Sequence, residues 1–98
     1  MIYLVFYDIS TDRLRNRIVK ILERSGFERL QFSVFTGLEN PVTNDYLWQK
    51  MVRILKDEPE AKLYVLSISQ EQFVGMQGIG KEKVDLEYLA GLKRSLTI

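Results

Sequence analysis

The chain contains no cysteine and no histidine. Without cysteine there is no disulfide, no thiolate metal site and no thiol nucleophile. Without histidine there is no Ser-His or Cys-His catalysis, no imidazole-held zinc, and no imidazole acid–base pair of the kind that cuts RNA without a metal. Hydrolytic chemistry here has to run on carboxylates with a hard cation, or on Arg, Lys, Tyr and Ser. Linkers, repeats, low-complexity tracts and apolar runs of membrane-spanning length are also missing. The apolar N-terminal run is short, has no basic leader and meets Asp8. We therefore expect a strand there rather than a signal peptide, a cytoplasmic location and no membrane partner.

What is present fits one small domain, 1–98, with 83–98 as a tail. A core of this size is marginal, so a partner chain covering an apolar face would help it. The net charge of +1 gives no reason to expect nucleic acid. Its distribution says more: basic residues crowd between Arg13 and Arg29, whereas Glu39, Asp45, Asp57, Glu58 and Glu60 make the middle acidic. One face should suit polyanions.

Ile2 to Asp8 is apolar on both sides, as a central strand covered on both faces would be. Ser10, Thr11 and Asp12 are N-cap candidates for a first helix, which presents Leu14, Ile18, Ile21 and Leu22 and stops at Gly26. Phe27 to Thr36 alternates, with Leu30, Phe32 and Val34 on a core face and Arg29, Gln31, Ser33 and Phe35 on a polar, functional one. Residues 37–42 read as a loop, and Thr43 as the cap of a second helix carrying Leu47, Met51, Ile54 and Leu55. Pro59 stops it. Leu63 to Ile68 is the second strongly apolar strand, and Phe73 to Met76 a shorter fourth.

We assign this set to the β-α-β-β-α-β pattern: the α+β class, a ferredoxin-like four-stranded antiparallel sheet with two helices on one face. The first and third strands are central in that fold, and Ile2–Asp8 and Leu63–Ile68 take those places as the most apolar. The helices cover one sheet face, yet both faces of the first strand carry large apolar groups, Ile2, Leu4 and Phe6 against Tyr3, Val5 and Tyr7. The second face therefore needs cover, and a second copy of the chain is the simplest candidate. Val84 to Ile98 fits a helix or a strand equally well.

Asp8 ends an apolar run where the chain must turn, and a charge there is poorly hydrated unless a cation sits beside it. Arg13, Arg17, Lys20 and Arg24 form one stripe of the first helix, with Arg15 on the opposite shoulder, aimed along the sheet edge. An acid beside a basic helix points to a metal ion, a phosphate backbone or both. An ordinary ion pair between Asp8 and an arginine stays open. Magnesium wants six oxygens, and one carboxylate per chain is thin for it. A two-fold axis can bring two Asp8 side chains to one site. At about 4 Å and an effective dielectric near ~20 they would repel by roughly 4 kcal/mol, until a divalent ion turned the penalty into a binding site.

These residues resemble the CRISPR-associated Cas-two family. The likeness spans most of the chain and is carried by Phe6-Tyr7-Asp8-Ile9, by Arg15-Asn16-Arg17, by the run from Gln31 to Gly37, and by Gly78-Ile79-Gly80. It implies a homodimer of ferredoxin-like protomers and a magnesium-dependent phosphodiesterase, with manganese as the other candidate ion. Asp8 of each protomer would be its metal-binding and catalytic aspartate. Tyr7, Arg15, Arg17, Arg29 and Phe35 stand where the family places residues linked to activity or nucleic-acid contact. Ser33, beside Arg29 on the polar face, joins them as a supporting residue. The resemblance further implies an endonuclease acting on single-stranded RNA or double-stranded DNA in spacer acquisition and antiviral defence. The alternative it carries is a non-catalytic dimer that binds DNA and bridges CRISPR integrase subunits. An RNA-recognition module on the same fold would need an aromatic signature that Leu63 to Ile68 lacks.

Overall fold

One strand, β1 (Ile2–Asp8), sends its side chains alternately into two separate cores, and the rest of the fold follows from that. The computed structural model describes residues 1–80 and 82–93. After β1 come α1 (Asp12–Arg24), β2 (Glu28–Gln31), β3 (Val34–Gly37), a 3-10 turn (Pro41–Thr43), α2 (Asp45–Leu55), β4 (Lys62–Ile68) and two short helices, α3 (Gln70–Val74) and α4 (Leu86–Leu89). The sheet runs β2-β3-β1-β4, and its three strand pairs are antiparallel. This is the expected α+β, ferredoxin-like β-α-β-β-α-β chain.

Its segments differ from the expected ones in three ways. Residues 27–36 are not one strand: the chain turns at Phe32-Ser33, Ser33 adopts a φ of 69°, and β2 and β3 form a hairpin. The third strand is therefore β3, and Leu63–Ile68 lies at the sheet edge as β4 rather than at its centre. The segment expected as a fourth strand, Phe73 to Met76, instead begins in α3. Ser69 caps that helix with a reciprocal bond to Gln72, and this capping box outweighs the apolar run that suggested a strand.

The first core packs Val5 and Tyr7 of β1 against Ile18, Ile21 and Leu22 of α1 and Leu47, Met51 and Ile54 of α2. Each fully buried aliphatic side chain contributes about 1.5–3 kcal/mol relative to exposure. Thr11 sits at the N-cap of α1, but its hydroxyl donates to the Glu58 carboxylate and ties the helix start to the α2–β4 loop instead of capping. The helix closes where Phe27 N–H donates to Leu22 O and Gly26 N–H to Glu23 O, with Gly26 at a φ of 90° that favours glycine. Asn44, not Thr43, caps α2, its side chain accepting from Leu47 N–H at 3.1 Å.

The second core lies on the other face, where Ile2 and Leu4 meet Phe73 and Ala90. Phe6, Leu30, Leu86 and Leu89 pack around them. The chain's own α3 and α4 thus cover part of the face assigned above to a second copy. Tyr64 and Leu66, level with Phe6 and Leu4 in the register, stay 61% and 48% exposed on that same side. Of the ambiguous tail, Leu86–Leu89 is helical, and residues 94–98 lie outside the described set. Among the described residues no helix is long and apolar enough to cross a membrane.

Candidate nucleic-acid and metal site

The end of β1 is where the charged groups gather. In the sheet register Asp8 stands opposite Lys62 of β4. On its other side, one step beyond the Phe6–Val34 pair, Tyr7 N–H donates to Ser33 O at 3.1 Å and holds the β2–β3 turn against β1. The Asp8 side chain is exposed and enters no hydrogen bond or ion pair among the described residues. Among the described residues Asp8 is therefore not one half of an ordinary ion pair. Arg15 is engaged elsewhere.

Arg15 closes the loop that follows Asp8. Its Nη1 donates to Ile9 O at 3.1 Å and its Nη2 to the Asp12 carboxylate, so the guanidinium is fixed over the strand end. From there its Cζ lies 5.9 Å from the Phe32 ring centre. Arg29 approaches from β2, directly across from Phe35. Its Cζ sits 4.9 Å from the Phe35 ring and 5.9 Å from Phe32. Beneath it, Tyr7 stacks on Phe35 at 6.3 Å between ring centres.

Tyr7 and Phe35 are core residues, 6% and 0% exposed. The expectation that Phe35 lies on a polar face is corrected, because β3 pairs with β1 and sets Phe35 level with Val5 in the helix-side core. Phe35 lies under the Arg29 guanidinium and Tyr7 is stacked on it, both as part of the core. Arg17 is exposed, and among the described residues no hydrogen bond, ion pair or cation–π contact ties it to Asp8. Ser33 serves through its backbone carbonyl. The structure thus gathers Tyr7, Asp8, Arg15, Arg29, Ser33 and Phe35 at one end of the sheet and leaves Arg17 on the helix surface.

A family profile described as "CRISPR associated protein Cas2" matches residues 1–76. The chain belongs to the Cas2 family. It is 34% identical over 70 residues to the protein named CRISPR-associated endoribonuclease Cas2 1 of Archaeoglobus fulgidus, spanning 71% of this chain and 73% of that one. To the protein of the same name from Chloroflexus aurantiacus it is 40% identical over 83 residues, 82% of this chain and 87% of the relative. The crystal structure of Streptococcus pyogenes Cas2 at pH 6.5 superposes with a TM-score of 0.63 over 82% of this chain and all (100%) of that one, at 21% identity. That likeness speaks for the fold alone.

Within this Cas2 family chain the donor set suits a hard divalent ion on one count. Asp8 is an exposed anionic oxygen donor not committed to any described cation. Among the described residues no group of three or more acidic side chains could form a complete cage. Magnesium accepts such sparse sites, filling its remaining positions with water and phosphate oxygens.

Three participants escaped the sequence reading. Lys62 is placed by the register, which cannot be known before the strands are paired. Asp12 takes Arg15 through an i, i+3 relation visible in the sequence. Phe32, expected in the core, is 72% exposed. A groove next to Arg29 is lined by Glu28, Val84, Asp85 and Tyr88. In it the Tyr88 phenol donates to Glu28 at 3.0 Å, and that bond to a carboxylate raises its pKa above the ordinary tyrosine value. Asp85 is held below the ordinary aspartate value, first by the N–H of Tyr88 and also by Lys93.

Proposed function

We propose that this Cas2 family member is a magnesium-dependent endonuclease that hydrolyses phosphodiester bonds of single-stranded RNA or double-stranded DNA, acting as a homodimer in spacer acquisition and antiviral defence. Relatives named as endoribonucleases support the nuclease class. The observation that carries the reading is Asp8: an exposed carboxylate at a strand end, uncommitted among the described residues, opposite Lys62 in the register and one residue before the Ile9 carbonyl that Arg15 holds. Carboxylates with a hard cation are also the hydrolytic chemistry left open by the absence of His and Cys.

Asp8 of each protomer would hold the ion, magnesium or manganese, which when bound supplies Lewis-acid stabilisation of the phosphate and a more acidic water. The chain's own part is to bind and align the backbone. Arg15 and Arg29 present guanidiniums around Phe32 at the same end of the sheet, where they would neutralise phosphate charge through charge-assisted hydrogen bonds. Arg17, on the exposed face of α1, meets the backbone further along. A second copy is supported by the edge of β4, unpaired among the described residues, and by the exposed Tyr64 and Leu66 beside it.

One observation favours the second reading, a DNA-binding dimer that bridges CRISPR integrase subunits without cutting. Arg13, Arg17, Lys20 and Arg24 are all exposed along α1, a stripe that serves binding as well as catalysis. Asp8→Ala separates the two. Cleavage of RNA and DNA in magnesium should vanish while nucleic-acid affinity stays within a few-fold. Cleavage by purified Asp8→Ala at the wild-type rate would falsify the catalytic assignment.

A further inference from the structure

We propose that Phe32 is a base-stacking residue that holds an unpaired nucleotide beside Asp8; this rests on the nuclease reading above and adds to it the residue that orients the strand. Phe32 is 72% exposed at the tip of the β2–β3 turn. Single exposed apolar side chains are common and mean little. Phe32 differs in how it is held. Its neighbour Ser33 sits at a φ of 69°, and the Ser33 carbonyl accepts the Tyr7 N–H at 3.1 Å, so the turn is pinned to β1. Guanidiniums of Arg15 and Arg29 flank the ring, each 5.9 Å from its centre. Continuing the β1–β3 register past the Phe6–Val34 pair brings the turn level with Asp8.

An aromatic face bracketed by cations is what single-stranded nucleic-acid sites are made of: the ring stacks on a base while the cations track the phosphates. The bases of a duplex have no free face to offer, so the ring can act only on an unpaired or terminal nucleotide. The Arg15 and Arg29 guanidinium carbons lie within cation–π range of their aromatic neighbours, and the N–H groups not used within the chain remain for phosphate oxygens. Charge supplies affinity along the strand, and Phe32 fixes which linkage lies at Asp8.

The test uses the full chain and single-stranded oligoribonucleotides and oligodeoxyribonucleotides carrying 2-aminopurine, whose fluorescence is quenched on stacking. Phe32→Ala should weaken binding by about 5- to 150-fold, the range for losing one base–aromatic stack. Phe32→Trp should retain affinity and quenching, and Phe32→Leu should lose the quenching although it keeps apolar bulk. The slope of affinity against salt should not change in Phe32→Ala, whereas Arg29→Ala should flatten it by about 0.7 for one lost phosphate contact. With an abasic oligonucleotide, wild type and Phe32→Ala should bind alike. In cleavage, the loss should fall on KM more than on kcat.

Equal single-strand affinity in Phe32→Ala and wild type, an equal loss on duplex, or a change in oligomer mass would overturn the inference. The last would make Phe32 a subunit contact. If wild type shows no salt-dependent affinity for nucleic acid at all, the nuclease reading falls first and takes this inference with it. Should Phe32→Ala not fold, the abasic comparison on wild type decides alone: full affinity without the base sinks the proposal.

Discussion

Replacing Asp8 with Asn should leave the metal-free protein almost as stable as wild type and abolish its stabilisation by magnesium. Asp8 is exposed and makes no hydrogen bond or ion pair among the described residues, so the swap removes no contact within the chain. Surface changes of that kind stay within about 0.5 kcal/mol. In a domain near 100 residues, about 1 kcal/mol moves the Tm by roughly 4–8 °C, so the shift in chelator should not exceed about 4 °C. An ion that binds only the folded state at ten times its Kd stabilises by about 1.4 kcal/mol, or roughly 6–11 °C. Asn keeps an oxygen but not the charge, and that rise should disappear. The assay is scanning calorimetry of both proteins in chelator and across a magnesium titration. Protein concentration must be matched, because a dimer's melting point depends on it. An equal rise in both proteins would place the ion elsewhere and refute Asp8 as its ligand. A fall of much more than about 4 °C in chelator would show that Asp8 holds the fold rather than an ion.

Two further outcomes test the second core and the segment that closes it. Phe73→Ala removes a ring with 0% exposure from between Ile2, Leu4 and Ala90 and should cost about 3–5 kcal/mol in denaturant unfolding. A cost below about 1 kcal/mol would mean that α3 does not cover this face in solution. The stability of α4 should depend on pH at both extremes. The depressed Asp85 contributes above the ordinary value of 3.8 and loses that contribution as pH falls through its lower folded value. The raised Tyr88 contributes fully below 10.0 and loses that contribution as pH rises through its higher folded value. Hydrogen exchange at residues 86–90 should therefore quicken at either end beyond its intrinsic pH dependence. Asp85→Ala should remove the acid-side effect, and an unchanged acid profile in that variant would show that the carboxylate charge plays no part.

The elements with a strong period were legible in the sequence. Ile18, Ile21 and Leu22 in α1, and Leu47, Met51 and Ile54 in α2, are the buried faces that helical spacing marks out. The hairpin was not legible, because Phe32-Ser33 contains no Gly, Pro or Asn. Its alternation is that of a continuous strand, and it is broken by the φ of Ser33, the Tyr7 bond to its carbonyl and a register shift between Arg29 and Gln31. That turn also accounts for the misplacing of Phe32, while Phe35 was misplaced because β3 pairs with β1 on the helix side. The central position assigned to Leu63–Ile68 failed for another reason: its apolar residues on the second face, Tyr64 and Leu66, look the same in sequence whether covered or bare. The Ser69-to-Gln72 cap could have been found from spacing alone. At the site, Asp8 and its basic surroundings were visible in the sequence. The commitment of Arg15 to Ile9 and Asp12, which leaves Asp8 free of it, depends on how the loop closes.

β1 lies between two strands that the ribosome makes much later. It pairs with β3 from Tyr3–Gly37 to Phe6–Val34, and with β4 from Ile2–Ile68 to Asp8–Lys62. The most apolar strand thus emerges first and waits for its second neighbour until most of the domain has been synthesised. Long-range pairings of this kind slow folding and leave an apolar edge open in the meantime. The same seven residues that join both cores in the finished protein are, during synthesis, an uncovered apolar strand of the kind that aggregates.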